Sequence, residues 1–397
     1  MFINERTLIV LAYFLFIIDF LSGGLTHLTG IDIKLSLAYK MFFLITCLIY
    51  MAEKDKIEFG ISIIILSFSF LWAVLINIRA TPEFAMLDFA ELFKLFSTIF
   101  VFFTFSKFEI YDVLKFLNTM VLIVFATLIL NVTLSYLGIG RFVYGDFGAI
   151  GFFQGGNALS GVIIISATYS LVKAIRSSIF KFTLCILSWL AIAVLIGTKS
   201  SILSVFLISI VTVIFFKPFK GFLLAFFIVC ILMLFIMFAY QFIQSYGLYN
   251  RIQYFYQNDG LARVLLSGRD EFLSSAWHKF SNSDFYEVIF GMGVSGMRLL
   301  EKITVEMDFF DILFRFGALN LVIFLIAISM VFYKSKIFSK TDFDDESILK
   351  DVVIISTVFL LITSFIAGHI IFNGMVTFLW GILLACLRWN ENHRKYS

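Results

Sequence analysis

The stretch YEVIFGMGVSGM, Tyr286 to Met297, places Gly291, Gly293 and Gly296 after an apolar run with the spacing that wraps a dinucleotide pyrophosphate in soluble βαβ units. Basic residues form a second candidate group. Arg141, Lys199, Arg269 and Arg298 sit in polar connections, and Arg and Lys there suit phosphate or carboxylate ligands. A third group consists of charges inside apolar sequence, where each one marks a pairing or a function. Asp88, Glu91 and Lys94 recur on one helical side, and Asp311 and Arg315 stand at i,i+4, a spacing that allows simple mutual pairing. The histidines His27, His278, His369 and His393 are scattered, and neither CxxC nor HExxH spacing occurs, so no metal site is expected.

What these residues can do depends on the solvent around them. The chain is 61% hydrophobic and 14% charged, with 2 prolines in 397 residues, and its mean hydropathy is +1.01. That is the composition of a membrane protein. Apolar runs long enough to cross about 30 Å of hydrocarbon as helix recur about twelve times. They lie near 7–22, 35–52, 57–76, 86–105, 113–137, 156–175, 179–197, 200–216, 221–244, 307–332, 351–369 and 372–388. The expected fold is therefore an all-α polytopic bundle forming a single integral membrane domain over 1–397. The first run lacks a small-residue cleavage site and reads as a membrane helix. Cys47, Cys185, Cys230 and Cys386 all fall within spans and behave as small hydrophobes.

An even number of spans puts both termini on one side. Alternate connections hold more than half of the 30 basic residues, which assigns the N- and C-termini to the cytoplasm. The longest connection, 245–305, is then external, and its apolar and aromatic content is that of an ordered segment. The glycine stretch lies in it, away from any parallel sheet, so the nucleotide reading fails and a tight structural turn is expected. Upstream, Ser267 and Asp270 resemble a capping box opening a helix whose Phe272, Leu273, Ala276, Trp277 and Phe280 share one face. GTKSS at 197–201 joins two apolar helices with almost no loop, which holds Lys199 at the outer boundary. Lys199 can bind a ligand there or merely snorkel, and Arg141 can equally be an ordinary loop arginine.

At these stretches the chain resembles the O-antigen polymerase and ligase superfamily, and Wzy-type polymerases in particular. GTKSS is similar to that family's short basic turn, with Lys199 where arginine is frequent. SGRDEFLSSAWHKFSNSDFYEVIFGMGVSG is similar to its external-loop pattern, EMDFFDILFRFGAL to the segment after the loop, and AGHIIFNG at 367–374 to the polar break before the last helix. Ligases typically carry a histidine where Glu306 stands, so the resemblance favours a polymerase over a ligase.

The resemblance implies a membrane glycosyltransferase on the outer face of a bacterial cytoplasmic membrane, making O-antigen or capsule. It takes a polyprenyl-diphosphate-linked oligosaccharide as donor and needs no cofactor, metal, nucleotide or nucleic acid. Lys199, Arg269 and Arg141, with Arg298 as a weaker fourth, are the expected diphosphate contacts. Glu306 or Asp308 is the expected catalytic base, with Glu306 favoured. His369 is expected either to hydrogen-bond the acceptor sugar or to cap its helix. A chain-length regulator is the implied partner besides the lipid bilayer. A flippase or transporter is the alternative class, against which stand the absence of inverted repeats and the gathering of cations on one side.

Overall fold

The computed structural model describes residues 3–78, 82–145, 147–216, 266–298, 302–337 and 345–387, with Leu300 and isolated positions between 253 and 264. The first half contains α1 (Glu5–Thr29), α2 (Leu35–Lys54), α3 (Lys56–Ile76), α4 (Pro82–Phe105), α5 (Ile110–Tyr136), α6 (Gly156–Ser177), α7 (Ile179–Ile196) and α8 (Lys199–Phe216). The second half contains α9 (Arg269–Ser281), α10 (Phe285–Phe290), α11 (Gly293–Met297), α12 (Asp308–Ile337), α13 (Asp345–Ile366) and α14 (Gly374–Ala385). Nine helices among the described residues are long and apolar enough to cross a membrane. The chain is thus an all-α polytopic membrane protein. The expected span at 221–244 lies outside the described residues.

Sequence signals set the helix ends. Asn4 caps α1 by accepting from Thr7 N at 2.8 Å, and Asp55 caps α3 by accepting from the amides of Ile57 and Glu58. Gly197 ends α7 in the left-handed region, and α8 restarts at Lys199. Helices α1 and α2 run antiparallel: Tyr39 Oη donates to Leu11 O, Lys40 pairs with Asp19 at 2.6 Å, and Tyr50 Oη donates to Glu5 Oε1. At the Glu5 end, Lys107 pairs with both Asp55 and Glu58. The opposite end collects the α7–α8 turn, residues 266–307 and the break between α13 and α14. Helix α6 is buried along most of its length, and its small residues Ala158, Gly161 and Ala167 let neighbours approach closely, the usual basis of helix association in lipid.

One departure from an all-α chain is a hairpin of β1 (Arg141–Tyr144) and β2 (Phe147–Gly151), antiparallel, with a register irregularity after Arg141. It packs on α5 and on the end of α7.

Residues 266–298 and 302–307 share a small core of their own: Ala276 and Phe280 of α9 meet Met292, Met297, Val305 and Met307 over Phe314 of α12. The expected helix over this segment is α9, but it does not start with a capping box. Gly268 precedes it at φ 84 with no side-chain cap, because the Ser267 hydroxyl accepts instead from Lys199 Nζ at 3.2 Å.

The glycine stretch is a docking turn. Gly291 at φ 99 lies against the point where α12 breaks at Gly317, φ 82 and ψ 170. A Cβ on Gly291 would strike the Arg315 carbonyl, and one on Gly317 the Ile289 carbonyl, so only glycine permits this backbone contact. Met292 N donates to Phe314 O at 2.8 Å across it. Beside it, the buried Asp88 carboxylate accepts from Asn77 Nδ2 at 2.8 Å, Val294 N at 2.8 Å and Arg315 Nη2 at 2.9 Å. The expected pairing of Arg315 with Asp311 is therefore corrected. Asp311 accepts from Val305 N at 2.7 Å, and the Arg315 guanidinium goes to Asp88, whose fully buried carboxylate needs a charged partner.

Candidate functional site

A cavity of about 370 Å³ opens at the end of the bundle that carries the long loop, in the size range of small-ligand sites. Its wall takes Glu91 and Lys94 from α4, Gln154 and Asn157 from the hairpin exit and the start of α6, Thr198 from the α7–α8 turn, and His369, Phe372 and Asn373 from the break before α14. Lys94 Nζ and Glu91 Oε1 pair at 2.8 Å, both partly exposed to this space. Asn157 Nδ2 donates to Gly368 O at 3.1 Å, and Asn373 Oδ1 accepts from Met375 N as the cap of α14. Both asparagines line the cavity.

The break at 367–373 is shaped by Asp308. Its fully buried carboxylate accepts from three successive amides, His369 N at 2.6 Å, Ile370 N at 3.0 Å and Ile371 N at 3.0 Å. Gly368 N donates to Glu306 O at 2.5 Å, so the segment entering α12 and the break before α14 are tied together. His369 is held at φ 65, with its exposed ring on the cavity wall.

Beside His369 stands a charged cluster. Glu306, itself at φ 63, pairs through Oε1 with Lys302 Nζ at 3.0 Å and through Oε2 with Arg269 Nη2 at 3.5 Å. Burial alone would raise its pKa. The Lys302 hydrogen bond and the positive fields of Lys302, Arg269 and His369 outweigh that and hold the carboxyl below the usual glutamate value. Arg269 Nη1 donates to Leu266 O at 3.4 Å, while its buried Nε has no protein partner. Lys199 Nζ donates to Val264 O at 2.6 Å and to Ser267 Oγ, two residues before Arg269. Lys199 follows Thr198 on the cavity wall, so cluster and cavity adjoin at two points, Thr198–Lys199 and Glu306–His369.

The structure thus gathers Lys199, Arg269, Glu306 and His369 and employs the other candidates differently. Arg141 is taken up by the hairpin: its Nε donates to Gly151 O at 3.3 Å and its Nη2 to Phe153 O at 2.8 Å, which closes the irregular register there. Arg298 stacks its guanidinium 5.4 Å from the Phe84 ring at the start of α4. Asp308 has its carboxylate filled by backbone amides and no exposed surface, so it is not placed as a base.

The Asp88, Glu91 and Lys94 group is divided, with Asp88 facing Arg315 and the other two facing the cavity. Gln154, Asn157 and Asn373 are cavity residues that the sequence reading misses. Their signal is faint: amides beside glycines at helix starts, in FFQGGN and IIFNG.

These features define a polytopic membrane protein with a cationic site beside a polar cavity at one end of the bundle. Residues 249–390, which span the loop and the last three helices, match the family described as O-antigen ligase like membrane protein. The match supports the O-antigen ligase and polymerase superfamily, and with it a membrane glycan-processing function. No curated protein matches the chain.

Proposed function

We propose that the protein is a polysaccharide repeat-unit polymerase that transfers a glycan from polyprenyl diphosphate to a sugar hydroxyl of another lipid-linked repeat unit. The observation that carries this reading is the pairing of Arg269 and Lys302 with Glu306, next to Lys199 on Ser267 and to His369 on the wall of a polar cavity. In the reaction the hydroxyl oxygen attacks the anomeric carbon, the bond from that carbon to the diphosphate oxygen breaks, and the diphosphate leaves with the electron pair. Lys199 and the Arg269 fork stabilise that charge without a metal.

Glu306 takes the hydroxyl proton. Before substrate arrives, Lys302 and Arg269 hold its carboxyl in the charged, weakly basic form. An incoming diphosphate draws those cations to itself and weakens their hold on Glu306, which raises its basicity when a proton must be accepted. Asp308 acts through the backbone, fixing His369 at the cavity.

The family match, by its description, favours a ligase as second reading, and the Glu306 position favours the polymerase. Purified protein in liposomes with lipid-linked repeat units and lipid A-core separates the classes. A glycan ladder is the expected result. Transfer limited to a lipid A-core acceptor would make the protein a ligase, and movement of the lipid with no transfer a flippase.

A further inference from the structure

The wall of the cavity says more than its adjacency to the cations. Glu91 and Lys94 cancel each other's charge across a 2.8 Å ion pair, so the space carries little net charge and is unsuited to a second phosphate. Its other polar groups are side-chain amides from three separate elements: Gln154 after the hairpin, Asn157 in α6 and Asn373 before α14. Each amide offers both a donor and an acceptor. Asn157 and Asn373 are fixed by one bond each to the backbone, which orients what remains. Phe372 adds an apolar wall. Paired charges, oriented amides and an aromatic surface match a ring that carries hydroxyls on its edge and C–H groups on its faces.

We propose that this cavity is a binding site for neutral sugar residues, and that it holds the end of the acceptor glycan whose hydroxyl is presented to His369 and Glu306. This assignment to the acceptor rests on the polymerase reading; the saccharide chemistry of the cavity rests on its wall. The cation cluster adjoins the cavity through Thr198–Lys199 and Glu306–His369, so the diphosphate of the donor and the sugar of the acceptor occupy neighbouring subsites. Glu91 and Lys94 then serve as a specificity pair, each bonding to hydroxyls while the pair excludes net charge.

The test uses the full chain in nanodiscs and two probes. One is the host's own repeat-unit oligosaccharide released from its lipid by mild acid; lacking a diphosphate, it can act only as acceptor. The other is polyprenyl diphosphate without sugar. Saturation-transfer NMR should show the oligosaccharide bound by the wild type. Gln154→Ala, and Gln154→Trp, which fills the mouth, should each weaken it about tenfold or more, the loss of one or two hydrogen bonds or of access. Polyprenyl diphosphate should bind these variants as it binds the wild type. The converse pattern is expected for Arg269→Ala.

Oligosaccharide binding that is absent in the wild type, or unchanged in both Gln154 variants, overturns the proposal, as does loss of diphosphate binding in those variants. Because Gln154 is exposed, an unchanged melting temperature should accompany the loss. Oligosaccharide binding that follows this pattern in a protein that builds no glycan ladder leaves the sugar site standing and removes the polymerase reading.

Discussion

Glu306 and Arg269 are the residues whose chemistry is most tightly specified by their surroundings. The carboxylate stands between two cations, and the guanidinium keeps a buried Nε without a protein partner. If Glu306 accepts the proton, Glu306→Gln should slow elongation on the order of a hundredfold or more while donor binding survives, measured with radiolabelled repeat units. Normal elongation in that variant would leave catalysis to leaving-group stabilisation alone. Lys199→Ala and Arg269→Ala should each abolish polymer at normal protein level. Arg269→Lys should recover little, because an ammonium cannot fork. Glu306 also fixes a pH dependence. Its pKa is depressed in the folded state, so its contribution to stability is complete above the ordinary glutamate range and is lost as pH falls through the depressed value. Glu306→Gln should flatten that acidic limb of a melting-temperature profile, and an unaltered limb would contradict the ion-pair geometry.

At the level of elements, the site depends on three backbone junctions. Asp308 binds the amides of residues 369–371, Asp88 joins α4 to α11 and α12, and Gly291 meets the Gly317 break. Asp88→Ala should destabilise the protein by about 3–5 kcal/mol, because it leaves the Arg315 guanidinium buried and unpaired. Replacing both partners, Asp88→Leu with Arg315→Met, should recover a large part of that loss in thermal melts. Gly291→Ala should cost on the order of 2–4 kcal/mol, from a strained left-handed φ together with a backbone clash. A Gly291→Ala protein as stable as the wild type would show that the loop docks differently. Asp308→Asn should disturb the break at 367–373, shifting a fluorine label near His369, and should lower turnover indirectly.

Across the whole molecule, all of the grouped candidates lie at one end of the bundle, opposite Glu5, Asp55 and Lys107. From the excess of basic residues in alternate connections, that end is expected to face outward. A cysteine at Asn282, exposed after α9, should then react with an impermeant thiol reagent in intact spheroplasts, and one at Glu53, exposed at the end of α2, should react only after permeabilisation. The reverse pattern would place the site on the cytoplasmic face and exclude the reaction proposed for it.

The sequence by itself determined the membrane class and the course of the helices that the described residues contain. Each helix is an apolar sum over many residues that needs no partner to be read: α6, α7 and α8 run over nearly the same residues as their expected spans. GTKSS likewise placed Lys199 at the helix boundary, because a turn so short leaves no other position. The tertiary structure decided which charges meet. Asp88 finds Arg315 across 227 positions, and Asp308 finds amides more than 60 positions away. A lone carboxylate in a sequence has the same formal chemistry whether it faces substrate, an arginine or three backbone N–H groups. Arg141 was therefore legible as a loop arginine and Asp308 as a carboxylate at a helix start, but the backbone groups each one binds were not. The cavity was hidden for the same reason, since Glu91, Gln154, Asn157, Thr198 and Asn373 lie on separate elements, and only the packing of α4, α6 and the two helix breaks makes them neighbours.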